Sequence, residues 1–231
     1  MSDIISSPQH IGIIMDGNRR WAKQNGRDAV WGHKEGYRRL IETVKLLKSK
    51  NIRHLTVYAF STENWKREKF EIDNIMNILR IGLKKDVHTF NSEGIKFKAI
   101  GQISDLGEEL QKLIIKTETI TENNSEGFLN VAISYGGRGE LVRAFKKIAN
   151  SVVKDKEIDE NQISQMLDTS GQPDPDLIIR CGGQQRLSNF LLWQSAYSEL
   201  YFTNKFWPEF MEKDLDEALI WYRDVKRNYG K

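Results

Sequence analysis

Five short apolar runs, Ile11–Met15, Leu55–Phe60, Ile95–Ile100, Phe128–Ile133 and Leu177–Ile179, punctuate the chain, each about the length of a buried strand. Long amphipathic stretches separate them. Strands spaced by helix-length segments pair in parallel, because a crossover is needed to return the chain to the same end of a sheet. Between the first two runs, Tyr37, Leu40, Ile41, Val44 and Leu47 recur at helical spacing and form one apolar face for the sheet to cover. Further helices are predicted over Ile72–Phe90, Leu110–Thr121, Glu140–Val153 and Leu215–Tyr229, the third with Leu141, Val142, Phe145, Ile148 and Ala149 on one side. The polar stretch from Lys154 to Asp176, ending in Gln-Pro-Asp-Pro-Asp, is predicted to be a flexible surface connection. The pattern is that of one layered α/β domain over residues 1–231, with residues 1–8 a flexible N-terminus.

The composition closes off several function classes. With 39% hydrophobic and 10% aromatic residues among 231, the chain has the material for a core and is not disordered. Its 35 Lys and Arg against 32 Asp and Glu leave a net charge of +3, a mixed surface that argues against nucleic acid as the main partner. Cys181 is the one cysteine, so no intrachain disulfide forms. The first ten residues lack the basic flank and apolar run of a signal peptide, and no stretch has the apolar length to span a bilayer. The expectation is a cytoplasmic protein whose membrane contact is peripheral.

In parallel sheets ligands bind beyond the carboxyl ends of the strands, so the residues after each run come first. Asp16-Gly17-Asn18-Arg19-Arg20-Trp21-Ala22-Lys23 follows the first run: a carboxylate, a glycine turn, then a helix with two arginines in its first turn. Arginines oppose the dipole there, so a bound anion accounts for them better than capping by Asp16 does. His33, after Gly32, either caps the next helix or reaches the same anion. Ser61-Thr62-Glu63-Asn64-Trp65-Lys66-Arg67 follows the second run, with Glu71 beyond. Ser61 as a cap and Trp65 as packing are the plain readings, whereas Arg67 points to a polar site. Arg180-Cys181-Gly182-Gly183-Gln184-Gln185-Arg186-Leu187-Ser188 follows the fifth run, and its two guanidinium forks and serine suit a diphosphate. Asp16 and Glu199 have the hard oxygen chemistry that magnesium takes when phosphates complete its shell, although Glu199 fits a surface role equally well. Cys181 reads as a small residue in a turn.

The segments His10–Ala22, Gly32-His33, Tyr58–Arg67, Tyr135-Gly136-Gly137-Arg138 and Arg186–Gln194 through Trp207-Pro208 together resemble the cis-prenyltransferases, typified by undecaprenyl diphosphate synthase. The resemblance runs from His10 to Tyr229. It implies a mostly parallel six-stranded sheet flanked by helices, a hydrophobic tunnel, a homodimer, and magnesium-dependent condensation of isopentenyl diphosphate onto an allylic diphosphate, giving a cis-polyprenyl diphosphate. Carried over residue by residue, it makes Asp16 the essential aspartate linked to Mg2+ and Glu199 its partner ligand. Gly17, Asn18, Arg19, Arg20, Trp21 and His33 hold the allylic diphosphate. Arg180, Arg186 and Ser188 hold isopentenyl diphosphate, and Ser61, Asn64, Trp65, Arg67 and Glu71 line the reacting centre.

The chain also departs from the pattern this resemblance implies. Ala29 stands where relatives carry an arginine, with Arg27 or Arg19 as replacement donors, and Gln102, Ser134 and Gln184 replace an aspartate, an asparagine and a glutamate. These departures keep open a specialised relative that joins two allylic diphosphates head to middle, as lavandulyl-type synthases do. Asn18, where an aspartate-nucleophile phosphatase needs its second acid, argues against that chemistry. The presence of Asp16, Arg20, Asn64, Arg180, Arg186 and Glu199 argues against a non-catalytic prenyltransferase subunit. Small Ala59 near the tunnel mouth and Gly127 at its far end predict a product of medium to long chain.

Overall fold

The computed structural model describes residues 7–150 and 158–225. Six strands, β1 (His10–Ile14), β2 (His54–Ser61), β3 (Ile95–Ile100), β4 (Gly127–Tyr135), β5 (Leu177–Arg180) and β6 (Glu199–Phe202), form one sheet in the order β3-β4-β2-β1-β5-β6. Every neighbouring pair is parallel. All five apolar runs are strands, with ends shifted by no more than two residues. The edge strand β6 is half-buried along its length, so it lacks the continuous apolar run that marks the inner strands.

Among the described residues, seven α-helices flank the sheet: α1 (Asn18–Gln24), α2 (Ala29–Ser49), α3 (Lys69–Ser92), α4 (Glu108–Thr121), α5 (Gly137–Asn150), α6 (Glu160–Met166) and α7 (Glu212–Asp224). Side chains alternate between the two faces of each strand. Ile11 and Ile13 of β1 join the larger core with Leu47, Leu83, Leu110 and Trp207, whereas Ile14 joins a smaller one with Ile178, Phe190 and Leu191. Gly12 is needed where this second core closes on β1, since a Cβ there would lie 2.5 Å from Ile178.

Two expectations change. The stretch after residue 157 is not a loose connection. Asp159 caps α6 by accepting from the Gln162 amide at 2.7 Å, and Asp168, Gln172 and Asp176 hydrogen-bond to the body of the fold. The apolar side of α5 is not its buried side: Gly137, Glu140 and Ala144 face the core, while Val142 and Phe145 are about half exposed. The predicted ends of helices at Val153 and Tyr229, residues 154–157 and the first six N-terminal residues lie outside the described residues.

The loops leaving β1, β2 and β5 emerge side by side at the carboxyl end of the sheet. There the β2–β4 pairing loses register between Tyr58 and Ser61, which turns the end of β2 out of the ladder.

Candidate active site

Gly17 caps α1 with φ of 103°, a conformation in which glycine is unstrained, and a Cβ there would lie 2.5 Å from the Phe206 ring. No side chain caps this helix, so Asp16 is not its cap and the first-turn N–H groups stay available to a ligand. The Asp16 carboxylate instead sits between two guanidinium groups, with Oδ1 3.1 Å from Arg20 Nη2 and Oδ2 3.0 Å from Arg180 Nη2. Arg20 also donates to the Gly182 carbonyl at 2.7 Å and stacks on Phe206. The strands thus bring together residues 164 positions apart in sequence.

Arg180 is buried at the end of β5. It donates from Nη1 to the Arg186 carbonyl and, at 2.7 Å, to the Ser188 hydroxyl, while its Nε has no partner. The chain after it turns through Gly182, Gly183, Ser188 and Asn189, all with positive φ, which folds Arg186 and Ser188 back over Arg180. Arg186 also donates to Gln184 Oε1 at 2.7 Å. On the other side of Asp16, Glu71 gathers Arg67 at 2.8 Å, Arg19 at 3.2 Å and His33 at 3.4 Å. Burial pushes the His33 pKa below the usual histidine range, against the opposing pull of Glu71.

Two open pockets of similar size meet at this wall. One, of about 530 Å³, is lined by Asp16, Gly17, Asn18, Arg19, Arg20, Lys23, Arg27, Ala29, His33 and Arg67. The other, of about 580 Å³, is lined by Asp16, Asn18, His33, Ser61, Asn64, Arg67, Arg180, Arg186 and Ser188, together with Tyr58, Ala59, Glu63 and Asn189. Asp16, Asn18, His33 and Arg67 border both, as does Met15. A smaller cavity of about 60 Å³ continues beneath them, bounded by Met15, His33, Tyr37, Ala59, Ile75 and Trp207.

Several expected site residues stand elsewhere. Trp21 stacks on Trp31 with ring centroids 4.5 Å apart, while Arg27 lies over the Trp31 ring and still lines the first pocket. Trp65 turns inward against Phe60 and donates to the Ser134 hydroxyl at 2.8 Å, so its role is packing. Ser61 precedes the short 3-10 helix Thr62–Lys66 as its cap, and its N–H donates to Asn64 Oδ1 at 3.1 Å, yet both residues line the second pocket. Glu71 supports the arginines from behind. Glu199 opens β6 in register with Leu177, which pairs with Ile11. It therefore lies at the amino end of the sheet, five residues back along the β1 direction from Asp16, about 16 Å along the strand and two strands away. Within one chain the two acids do not meet, because register, which the spacing of residues does not reveal, carries them to opposite ends.

Arg27, expected as a replacement donor beside Ala29, lines the first pocket, whereas Lys23, Tyr58, Glu63 and Asn189 join the pockets without having been singled out for that role. Tyr58 alone sits inside an apolar run, and its hydroxyl donates to the Tyr135 carbonyl at 3.0 Å and the Ser188 carbonyl at 3.3 Å. Cys181 is fully buried and its thiol pKa is pushed up by that burial, so it is inert.

Residues 14–230 match the family model described as "Putative undecaprenyl diphosphate synthase". The isoprenyl transferase of Heliobacterium mobile is 46% identical, covering 96% of this chain and 87% of that protein. The ditrans,polycis-undecaprenyl-diphosphate synthase ((2E,6E)-farnesyl-diphosphate specific) of Pasteurella multocida is 43% identical, covering 96% and 95%. Among solved structures, the lavandulyl diphosphate synthase of Lavandula x intermedia in complex with dimethylallyl diphosphate superposes with a TM-score of 0.93 at 39% identity, covering 97% of this chain and 99% of that one. A "probable undecaprenyl diphosphate synthase" of Campylobacter jejuni superposes with a TM-score of 0.83 at 33% identity, covering 98% and 100%.

Proposed function

The chain belongs to the undecaprenyl diphosphate synthase family of prenyl-transferring enzymes, and on that premise we propose that it condenses isopentenyl diphosphate with an allylic diphosphate to give a cis-prenyl diphosphate. The observation that carries this reading is the pair of cation-rich pockets sharing the Asp16 wall, with an apolar cavity leading inward from their junction. The first pocket suits the allylic diphosphate, held by Arg19, Arg20, His33 and the open N–H groups after Gly17. Arg27 and Lys23 extend it where Ala29 offers no donor. The second suits isopentenyl diphosphate, held by Arg180, Arg186 and Ser188, with Ser61, Asn64 and Arg67 between the two.

The donor set also fits Mg2+. Each oxygen of Asp16 takes one guanidinium and keeps a further lone pair, and magnesium is commonly held by one carboxylate plus substrate phosphates. Asp16 is the ligand we assign; Glu199 of the same chain is too far to share it. The bound cation would offset charge on the departing diphosphate.

In the reaction the allylic C–O bond breaks, the isopentenyl π pair forms the new C–C bond, and a proton leaves to the departing diphosphate. Arg20 and the Gly17–Arg20 backbone stabilise the leaving group as its charge develops. Arg180 bonds both Asp16 and Ser188, so it fixes the distance between the two pockets and makes the attack local. We place this activity in the cytoplasm, with membrane contact through the lipid product; among the described residues no helix is long and apolar enough to cross a membrane. We also propose a homodimer, supported by the half-exposed Val142 and Phe145 of α5 and the exposed Tyr197.

A second reading, head-to-middle joining of two allylic diphosphates, is favoured by the close superposition on the lavandulyl diphosphate synthase. One experiment separates the two. The purified protein with Mg2+ is given isopentenyl plus farnesyl diphosphate, then dimethylallyl diphosphate alone. Product in the first mixture supports regular condensation; product only in the second assigns the irregular reaction; none in either overturns both.

A further inference from the structure

Beneath the site, two largely apolar cavities follow one another between α2, α3 and the sheet, and a third lies between α2 and the sheet's amino end. The uppermost, of about 60 Å³, touches His33 and Ala59. The next, of about 30 Å³, lies among Leu83, Phe90, Phe97 and Val131. The last, of about 20 Å³, reaches Leu47, Ile95 and Gly127 at the amino end of the sheet. Tyr37, Leu40 and Leu79 border both the first and the second.

Tyr37 is the polar member of that border. It stands one turn below His33 on α2, about 6 Å along the helix axis. Its hydroxyl donates across the gap to Asp86 Oδ2 on α3 at 2.5 Å, and Asp86 is 7% exposed. Burial and the Asp86 carboxylate both raise the Tyr37 pKa, so the phenol stays protonated and remains a donor. One turn before Asp86 on α3, Gly82 leaves the ring its space: a Cβ there would lie 2.5 Å from the ring and its hydroxyl. A phenylalanine would fill the same volume without requiring a carboxylate to be taken out of water. The polar pair is thus suited to holding the ring in one place rather than merely to filling space.

Resting on the prenyl-transfer reading above, we propose that the Tyr37–Asp86 bridge is the length-determining bar of the product channel, which stops the growing prenyl tail one helical turn below the reacting centre. The product is then a short-chain prenyl diphosphate. Ala59 and Gly127 leave room at the mouth and the foot of the channel, and the bar lies between them, so this proposal assigns a shorter product than those two small residues suggest.

The test compares the wild-type chain with Tyr37→Ala and Tyr37→Leu, given Mg2+, isopentenyl diphosphate and dimethylallyl, geranyl or farnesyl diphosphate. Products are dephosphorylated and resolved by chromatography and mass spectrometry. Tyr37→Ala should raise the ratio of longer to shorter products by about tenfold or more, the scale on which a pocket discriminates a few methylenes. Tyr37→Leu, which retains apolar volume, should shift the ratio the same way by less and answers for a Tyr37→Ala chain that fails to fold. An unchanged product distribution at undiminished turnover overturns the proposal, as does a wild-type product of undecaprenyl length. If the wild type condenses nothing, the prenyl-transfer reading is what fails. Calorimetry with geranyl, farnesyl and geranylgeranyl diphosphate then tests the bar without turnover. Affinity that falls with tail length in the wild type and not in Tyr37→Leu supports it; parallel affinities in both overturn it.

Discussion

Asp16 stands at the junction of both pockets, and the two guanidinium groups on its oxygens hold its carboxylate in place before any substrate arrives. Its replacement therefore removes charge from the reacting centre while leaving Arg19, Arg186 and Ser188 in place to bind phosphate. Asp16→Ala should lower kcat by on the order of 10²–10³-fold or more, with a modest change in substrate affinity, as removal of a transition-state stabiliser does. Steady-state kinetics with a binding measurement checks this, and retained turnover would sink the role. Trp65 gives the opposite expectation. Because its indole faces Phe60 and Ser134, Trp65→Phe should cost about 1 kcal/mol of stability through the lost hydrogen bond and leave substrate affinity nearly unchanged. Denaturant unfolding and titration with isopentenyl diphosphate separate the two effects. Asp16, Arg20 and Arg180 are legible in the sequence because each follows the end of an apolar run closely enough for chain direction alone to place it. Trp21 and Trp65 belong to the same motifs, yet which way an indole turns depends on Trp31 and Ser134, partners that local spacing does not identify.

At the scale of elements, the amino end of the sheet is held by a buried polar cluster. His10 of β1 is fully buried; its Nδ1 lies 2.7 Å from the Pro173 carbonyl and its Nε2 2.8 Å from the Thr56 hydroxyl of β2. Asn130 of β4 donates to the same hydroxyl and to Gln172, and Asp176 accepts from the His10 amide. These bonds tie the 172–176 segment to three strands, which is why a stretch that reads as polar linker is ordered: its polar groups are sheet partners and not solvated ones. Burial lowers the His10 pKa to about 4 from an ordinary 6.5. The unfolded chain then binds a proton that the folded one refuses, so the His10 contribution is intact above pH 6.5 and is lost as the pH falls toward 4. The loss should approach about 3 kcal/mol. His54, whose pKa burial also lowers, acts in the same direction. Urea unfolding between pH 7 and pH 4.5 should show this decline, and His10→Gln should flatten its steepest part; parallel curves would remove His10 as the cause.

For the whole molecule, α5 poses the question of how far one chain is the complete unit. Its sequence has an apolar side as regular as that of α2, and periodicity alone assigns both to the core. The structure buries the α2 face against the sheet but turns the other face of α5 inward, because Glu140 accepts hydrogen bonds from the Tyr135 hydroxyl, the Gln194 amide and the Asp168 backbone. That network rotates the helix and leaves Val142 at 53% and Phe145 at 48% exposure. Amphipathic spacing reveals that a face is apolar and not what covers it, so the legible part of the fold ends at the boundary of one chain. Apolar side chains in such a stripe are characteristic of an interface, and a closed pair related by a two-fold axis is the commonest way to cover one. Light scattering after size exclusion should give twice the 26.8 kDa chain mass for the wild type. Phe145→Glu should yield the single-chain mass with an unchanged circular dichroism spectrum, because the residue takes no part in the Glu140 network. A wild type that runs at the single-chain mass over the micromolar range would mean that α5 meets no second copy and that one chain completes the site by itself.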